Sequence, residues 1–196
     1  MKLFLATQNK DKIKEIRQLL DNLPIELISI QNFSNLPDIV EDKDTLEGNA
    51  CKKALEIAKI VKMNTIADDT GFFIDALDGK PGVYAARFAR ENCTYADNRN
   101  KALKLLKDET NRKAYFKTVV AFASPEGIIK TFDGIAYGSI TNEEIGSNNF
   151  GYDPIFRSDE SGKTFGEMKD VDKNKISHRG RAFAKFIEYI KQQATH

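Results

Sequence analysis

The stretch Tyr115-Phe116-Lys117-Thr118-Val119-Val120-Ala121-Phe122 decides the fold. It is dense in aromatic and β-branched residues, breaks at Ser124-Pro125-Glu126-Gly127, and is answered by a return run from Ile128 to Ile140. Two such runs joined by a short turn predict a long antiparallel hairpin within Ala114–Ile140. Toward the N-terminus the pattern changes to alternating strands and helices. Lys2 to Ala6 reads as a first strand, and from Lys10 to Leu20 the residues Ile13, Ile16, Leu19 and Leu20 fall on one helical face. Ile25 to Ile30 gives a second strand. A helix from about Thr45 to Lys62 follows, lined by Ala50, Ala54, Ile57, Ala58 and Val61. The 65–75 stretch has strand character around a turn expected at Asp68-Asp69-Thr70-Gly71. Asp97 to Lys107 and Ser177 to Gln192 read as two further helices, the last burying Phe183, Phe186, Ile187 and Ile190. Alternation in the first half with a hairpin in the second predicts an α/β protein. It should have a mixed β-sheet and flanking helices within one domain over residues 1–196.

Composition narrows the function classes. The 196 residues include 30 Lys plus Arg against 29 Asp plus Glu, a net charge of +1. That balance argues against a nucleic-acid footprint and leaves room for a local basic site around one anion. No run is long enough to span a membrane, and the N-terminus is too short for a signal segment, so a cytoplasmic protein is expected. Cys51 and Cys93 lack metal or redox spacing. Ser161-Gly162-Lys163-Thr164 ends like a P-loop, but Arg157 stands where that motif needs its first glycine.

The chemistry-bearing residues are scattered. Asp68 and Asp69 are adjacent, so in a strand they point to opposite faces and cannot both look into one site. One braces the backbone and the other projects toward a strand end, where aspartates hold magnesium or activate water; a polar strand-to-turn junction explains the same residues. The loop Thr7-Gln8-Asn9-Lys10-Asp11-Lys12 joins a strand to a helix N-terminus, where backbone N–H groups and the dipole favour an anion. An N-cap followed by solvated lysines accounts for it equally. Asp44 or Thr45 caps the second helix, whereas Glu41 lies outside it and could join Asp69 around a magnesium ion. Lys52 and Lys53 follow on that helix, and one of them could face a phosphate. Phe150-Gly151-Tyr152-Asp153-Pro154 places an aromatic beside a permissive glycine, suited to stacking on a base or to burial in a core. His178 and Arg179, after Lys173 and Ser177, sit in the first turn of the last helix. Cations oppose the dipole there, which favours recognition of an anion or carbonyl oxygen.

The order of these segments is more specific than any one of them. Thr7 to Lys12, Thr45-Leu46-Glu47-Gly48-Asn49-Ala50, Ala67 to Gly71, Pro81 to Phe88, Phe150 to Phe156 and Ser177-His178-Arg179-Gly180 run in sequence. Together they resemble the inosine triphosphate pyrophosphatase family (dITP/XTP pyrophosphatases) over nearly the whole chain. The resemblance implies two lobes around a nucleotide cleft, a homodimer, and magnesium-dependent hydrolysis of purine nucleoside triphosphates. It implies that Thr7, Gln8, Asn9, Lys10, Asp11, Lys12 and Lys53 hold the triphosphate. Glu41 and Asp69 serve Mg2+, and Asp69 is also the proton acceptor. Thr70 touches substrate, Phe150 stacks on the purine with Gly151, Tyr152 and Asp153 completing its loop, and Lys173, His178 and Arg179 read the base. Where many relatives are glycine-rich before the aromatic, this chain has Ser147-Asn148-Asn149.

Overall fold

The computed structural model describes residues 1–30, 33 and 36–193. Seven strands and five α-helices occur among them. They are β1 (Lys2–Leu5), α1 (Lys10–Leu20), β2 (Glu26–Ser29), α2 (Leu46–Val61), β3 (Thr65–Ile74), β4 (Pro81–Gly82), α3 (Tyr95–Leu105), β5 (Lys113–Ala123), β6 (Ile129–Ile140), β7 (Phe156–Ser158), α4 (Asp170–Ile176) and α5 (His178–Gln193). The strands form one sheet in the order β2-β1-β3-β5-β6-β7, with β4 on β3. β1 pairs in parallel with both β2 and β3, while β6 and β7 are antiparallel, so the sheet is mixed as the sequence predicts. Residues 124–128 close the β5–β6 connection, Ser124 N donating to Ile128 O at 2.9 Å; so short a link permits only an antiparallel return.

One expectation fails. Asp68-Asp69-Thr70-Gly71 is not a turn but the middle of the ten-residue strand β3. Turn propensity at those residues is overridden because their carboxylates find partners on helices rather than on their own backbone. α4 is also not anticipated, since five of its seven residues are polar and the two apolar ones, Val171 and Ile176, make no stripe.

The chain divides into two compact units. The first comprises Met1–Asp69, Thr118–Gly134 and Arg179–His196, and the second Thr70–Lys117 and Ile135–His178. The core of the first unit joins Leu3 and Leu5 of β1, Ile16 and Leu20 of α1, Ile66 of β3, Val120 and Phe122 of β5, and Phe183 and Phe186 of α5. The core of the second is aromatic: Phe72, Phe116, Tyr152, Phe156 and Phe165 lie in one cluster. Phe116 sits at its centre, its ring 4.4 Å from Phe72 and 4.8 Å from Phe156. No helix among the described residues is long and apolar enough to cross a membrane.

Candidate active site

In the first unit, β1 ends at Leu5 while its parallel neighbour β3, in register at Leu5 and Ile66, continues through Asp69. The loop Thr7–Asn9 therefore emerges beside the aspartates, beyond the carboxyl end of a strand, where open α/β sheets bind ligands. Asn9 caps α1, its Oδ1 accepting from Asp11 N at 3.0 Å and Lys12 N at 3.1 Å. Thr7 is buried, and its Oγ1 accepts from Asn9 N at 3.2 Å. Lys10 stays in solvent, while Lys12 turns inward.

Asp68 and Asp69 divide as the strand period requires. Asp68 is fully buried; its Oδ2 receives Lys12 Nζ at 3.1 Å and Arg179 Nε and Nη2 at 3.2 Å each. Arg179, itself 1% exposed, gives its Nη1 to Glu15 of α1 at 2.5 Å. Burial alone would raise the Asp68 carboxyl; the cations Lys12, Arg179 and Lys53 overcome it and hold the group well below the ordinary carboxylate range. Asp69 faces the other way, toward α2, where Asn49 Nδ2 donates to its Oδ2 at 3.1 Å. Burial, and then the nearby Glu41 carboxylate, raise its pKa, with Lys12 and Lys53 opposing. Of two adjacent aspartates, one is held as an anion inside a salt-bridge network and the other has its pKa raised by burial and a neighbouring carboxylate.

The acidic segment that carries Glu41 is tied down residue by residue. Gln8 Nε2 donates to Asp38 at 2.7 Å, Lys52 pairs with Asp42 at 2.9 Å, and Lys53 forms an ion pair with Glu41. Asn49 Oδ1 accepts from Lys43 N at 2.9 Å, so one buried side chain links this segment to Asp69. For Lys53, burial would lower the pKa; Glu41, with Asp68 and Asp69, outweighs it and raises the ammonium. Both Lys12 and Lys53 also approach the Asp68 carbonyl, each at 3.4 Å, which brings two ammonium heads to one point of β3.

The second unit places Phe150 on a loop that starts at Gly146. The backbone N–H groups of Ser147 and Asn148 donate to Gly166 O at 2.9 and 3.0 Å. Gly146 lies at φ +97°, and a Cβ there would fall 2.1 Å from the Gly166 carbonyl carbon. Gly146→Ala is therefore expected to cost at least ~2 kcal/mol, read as a lowered melting temperature. The departure at Ser147-Asn148-Asn149 builds bonds of its own: Asn148 donates to Asp153 Oδ2 at 3.3 Å and accepts from Phe150 N at 3.3 Å. Lys173 of α4, 1% exposed, meets the same Asp153 oxygen at 2.5 Å, and its Nζ lies 5.1 Å from the centre of the Phe150 ring. His178 stacks on Phe116 with ring centres 4.4 Å apart. Tyr152 belongs to the core, its hydroxyl donating to Ala85 O at 2.8 Å. Gly151 takes a left-handed conformation at φ +53°, the bend that turns the chain after Phe150.

The residues assigned by resemblance thus assemble in two sets. Thr7 to Lys12, Glu41, Lys53 and Asp69 share the first unit; Thr70, Phe150 to Asp153, Lys173 and His178 share the second. Arg179 goes to the first unit, within the Asp68–Glu15 network. Sequence reading missed Asn49, Glu15 and Arg99. Asn49 stood inside the quoted Thr45–Ala50 segment, while Glu15 carried no local signal because its partner Arg179 is 164 positions away.

A mixed sheet whose strand ends carry cations and carboxylates is the layout of an α/β enzyme of phosphate chemistry. The chain belongs to the Ham1 family, whose model matches residues 3–189. It is 42% identical over 191 residues to a dITP/XTP pyrophosphatase of Geobacter sulfurreducens, covering 96% of each chain. A dITP/XTP pyrophosphatase of Caldanaerobacter subterraneus subsp. tengcongensis is 45% identical over 193 residues, 97% of this chain and 96% of that one. Among solved structures, a Ham1 protein from Coxiella burnetii superposes with TM-score 0.89 at 36% identity, covering 98% and 99% of the two chains. The Staphylococcus aureus Ham1 protein gives 0.88 at 33%, covering 98% and 100%.

Proposed function

We propose that this protein is a magnesium-dependent pyrophosphatase for the non-standard purine nucleotides ITP, dITP and XTP. It cleaves the α–β phosphoanhydride to yield the monophosphate and pyrophosphate, and so clears these nucleotides from the cytoplasmic pool as a homodimer. Enzyme class follows from family: relatives 42–45% identical over nearly the whole chain are dITP/XTP pyrophosphatases. The observation in the chain itself that best carries the reading is the unequal treatment of the two aspartates. Asp68 is neutralised by Lys12 and Arg179, whereas Asp69 receives an amide from Asn49 and has its pKa raised. A carboxylate that is buried, oriented and raised is what a general base near neutral pH requires.

Glu41 and Asp69 suit a magnesium ion. The Glu41 carboxylate raises the cost of charge on Asp69, and a dication would relieve that repulsion. Among the described residues no group of three or more His, Cys, Asp or Glu could hold a metal alone. Magnesium fits such a site, because it is usually held by one or two carboxylates together with substrate phosphates and water. When bound, it would neutralise charge on the phosphate oxygens. Lys12 and Lys53 and the N-terminus of α1 hold the β- and γ-phosphates, and Asp69 takes the proton of the water that attacks the α-phosphorus. Phe150 stacks on the purine, and Lys173 and His178 favour a 6-oxo group over the adenine amine, which would leave a buried donor unpaired.

The test is turnover of ITP, dITP, XTP, GTP and ATP with pyrophosphate release as the readout. ITP, dITP and XTP are expected to exceed ATP in kcat/KM by ~10²-fold or more. Equal rates on all five would end the reading. Chelating magnesium with EDTA is expected to abolish turnover, and light scattering after gel filtration should give twice the chain mass.

A further inference from the structure

α3 carries two residues, Tyr95 and Arg99, one helical turn apart and therefore on one face. Both reach the Phe150 loop. The Tyr95 ring meets Phe150 edge-on, with centres 5.6 Å apart. Arg99, 4% exposed, divides its planar guanidinium between two tasks. Nε and Nη2 hold the two carboxylate oxygens of Glu144 at 2.8 and 3.1 Å. Nη1 donates to the carbonyls of Asn149 at 3.3 Å and Gly151 at 2.9 Å, the residues on either side of Phe150. α3 itself is fixed by a capping box of Thr94 and Asp97, and by Asn98, which bonds Ala86 O and Ala89 N.

We infer that Arg99 is the positioning residue for the base: by gripping the peptide groups before and after Phe150 it sets the ring for stacking, and Glu144 orients the grip. This rests on the reading of Phe150 as the base-stacking residue. A fork–fork pair uses two nitrogens of the guanidinium and aims the third, so the direction of Nη1 is set by Glu144 rather than by a flexible stem. With both flanking carbonyls held, and Phe150 N bonded to Asn148, the backbone of Phe150 is constrained on every side before a nucleotide arrives. Such preorganisation lowers the ordering cost of binding and acts on substrate affinity, not on the bond that breaks.

Steady-state kinetics with ITP, together with competition by inorganic tripolyphosphate, tests this. Tripolyphosphate has no base, so it reports the phosphate end alone. Arg99→Met is expected to raise KM for ITP about tenfold while kcat moves less than about threefold and tripolyphosphate inhibition is unchanged. Arg99→Lys, which keeps one donor without the fork, should fall between. Phe150→Ala should raise KM by a similar factor and add little in the Arg99→Met background, because both remove one stacking contact. An unchanged KM in Arg99→Met, or an equal loss of tripolyphosphate affinity, overturns the inference. If instead Phe150→Ala leaves KM unchanged in the native background, the stacking reading itself fails, and the inference with it. Should Arg99→Met not fold, Arg99→Lys and Glu144→Gln carry the test with an expected KM increase of about threefold each; no change in either overturns it.

Discussion

Asp69→Asn is expected to lower kcat for ITP by ~10³-fold while ITP binding remains measurable by equilibrium dialysis. The substitution keeps size and shape, and the amide can still meet Asn49 after rotation, so the site is disturbed little. On the proposed mechanism, what disappears is the ability to take a proton from the attacking water. Burial and the Glu41 carboxylate raise the Asp69 pKa, so its basicity is greater than that of a solvated aspartate. Without magnesium, the Asp69 carboxyl is accordingly expected to titrate above the ordinary carboxylate range, read by carboxyl-carbon NMR of the metal-free protein. Asp68→Asn provides the contrast, since its effect should fall on stability first. Near wild-type kcat in Asp69→Asn would remove Asp69 from the reaction.

The second large effect is on folding. Asp68→Ala deletes the carboxylate that receives both Lys12 and Arg179, and takes from the buried Arg179 the anion that meets its Nε and Nη2. Breaking a buried pair by removing one partner costs ~3–5 kcal/mol, because the remaining charge keeps its desolvation penalty. For a chain of this size that corresponds to a melting temperature lowered by roughly 10 °C. A change under about 2 °C would mean that water or a neighbour takes over the guanidinium. The same network fixes the acid response. Asp68 binds its proton more weakly folded than unfolded, so its contribution is fully present above the unfolded value, near ~4, and is lost as pH falls below it. A urea titration series should therefore show stability falling progressively below about pH 4, and Asp68→Ala should flatten that dependence.

Much of the architecture was legible because its causes are local. The stripe Ile13, Ile16, Leu19, Leu20 defines α1, found at Lys10–Leu20, and of the two cap candidates Asp44 and Thr45 it is Thr45 that caps α2. The β5–β6 hairpin follows from β-branched runs around a turn. Opposite facing of Asp68 and Asp69 follows from the two-residue period of a strand alone. The P-loop-like Ser161–Thr164 is likewise settled locally, since Thr164 is buried in a capping box with Glu167.

Long-range electrostatics decided the rest. Turn chemistry at Asp68–Gly71 loses to strand pairing because Arg179, 111 positions later, and Lys12 supply the partners a buried aspartate needs. Arg179 is drawn by Asp68 and Glu15 into the first unit, although its neighbour His178 stacks in the second, and no spacing rule contains that division. Arg99 carries no signal in the sequence; the fold brings Glu144, Asn149 and Gly151 around it. By itself the sequence determined β1, β2, the β5–β6 hairpin, the helices α1, α2, α3 and α5, their order and the two-faced aspartate pair, since propensity and periodicity act over a few residues. Which charges neutralise one another, and which side chain holds Phe150 in place, only the tertiary structure decided, because burial makes pairing obligatory and only the folded chain says who is near.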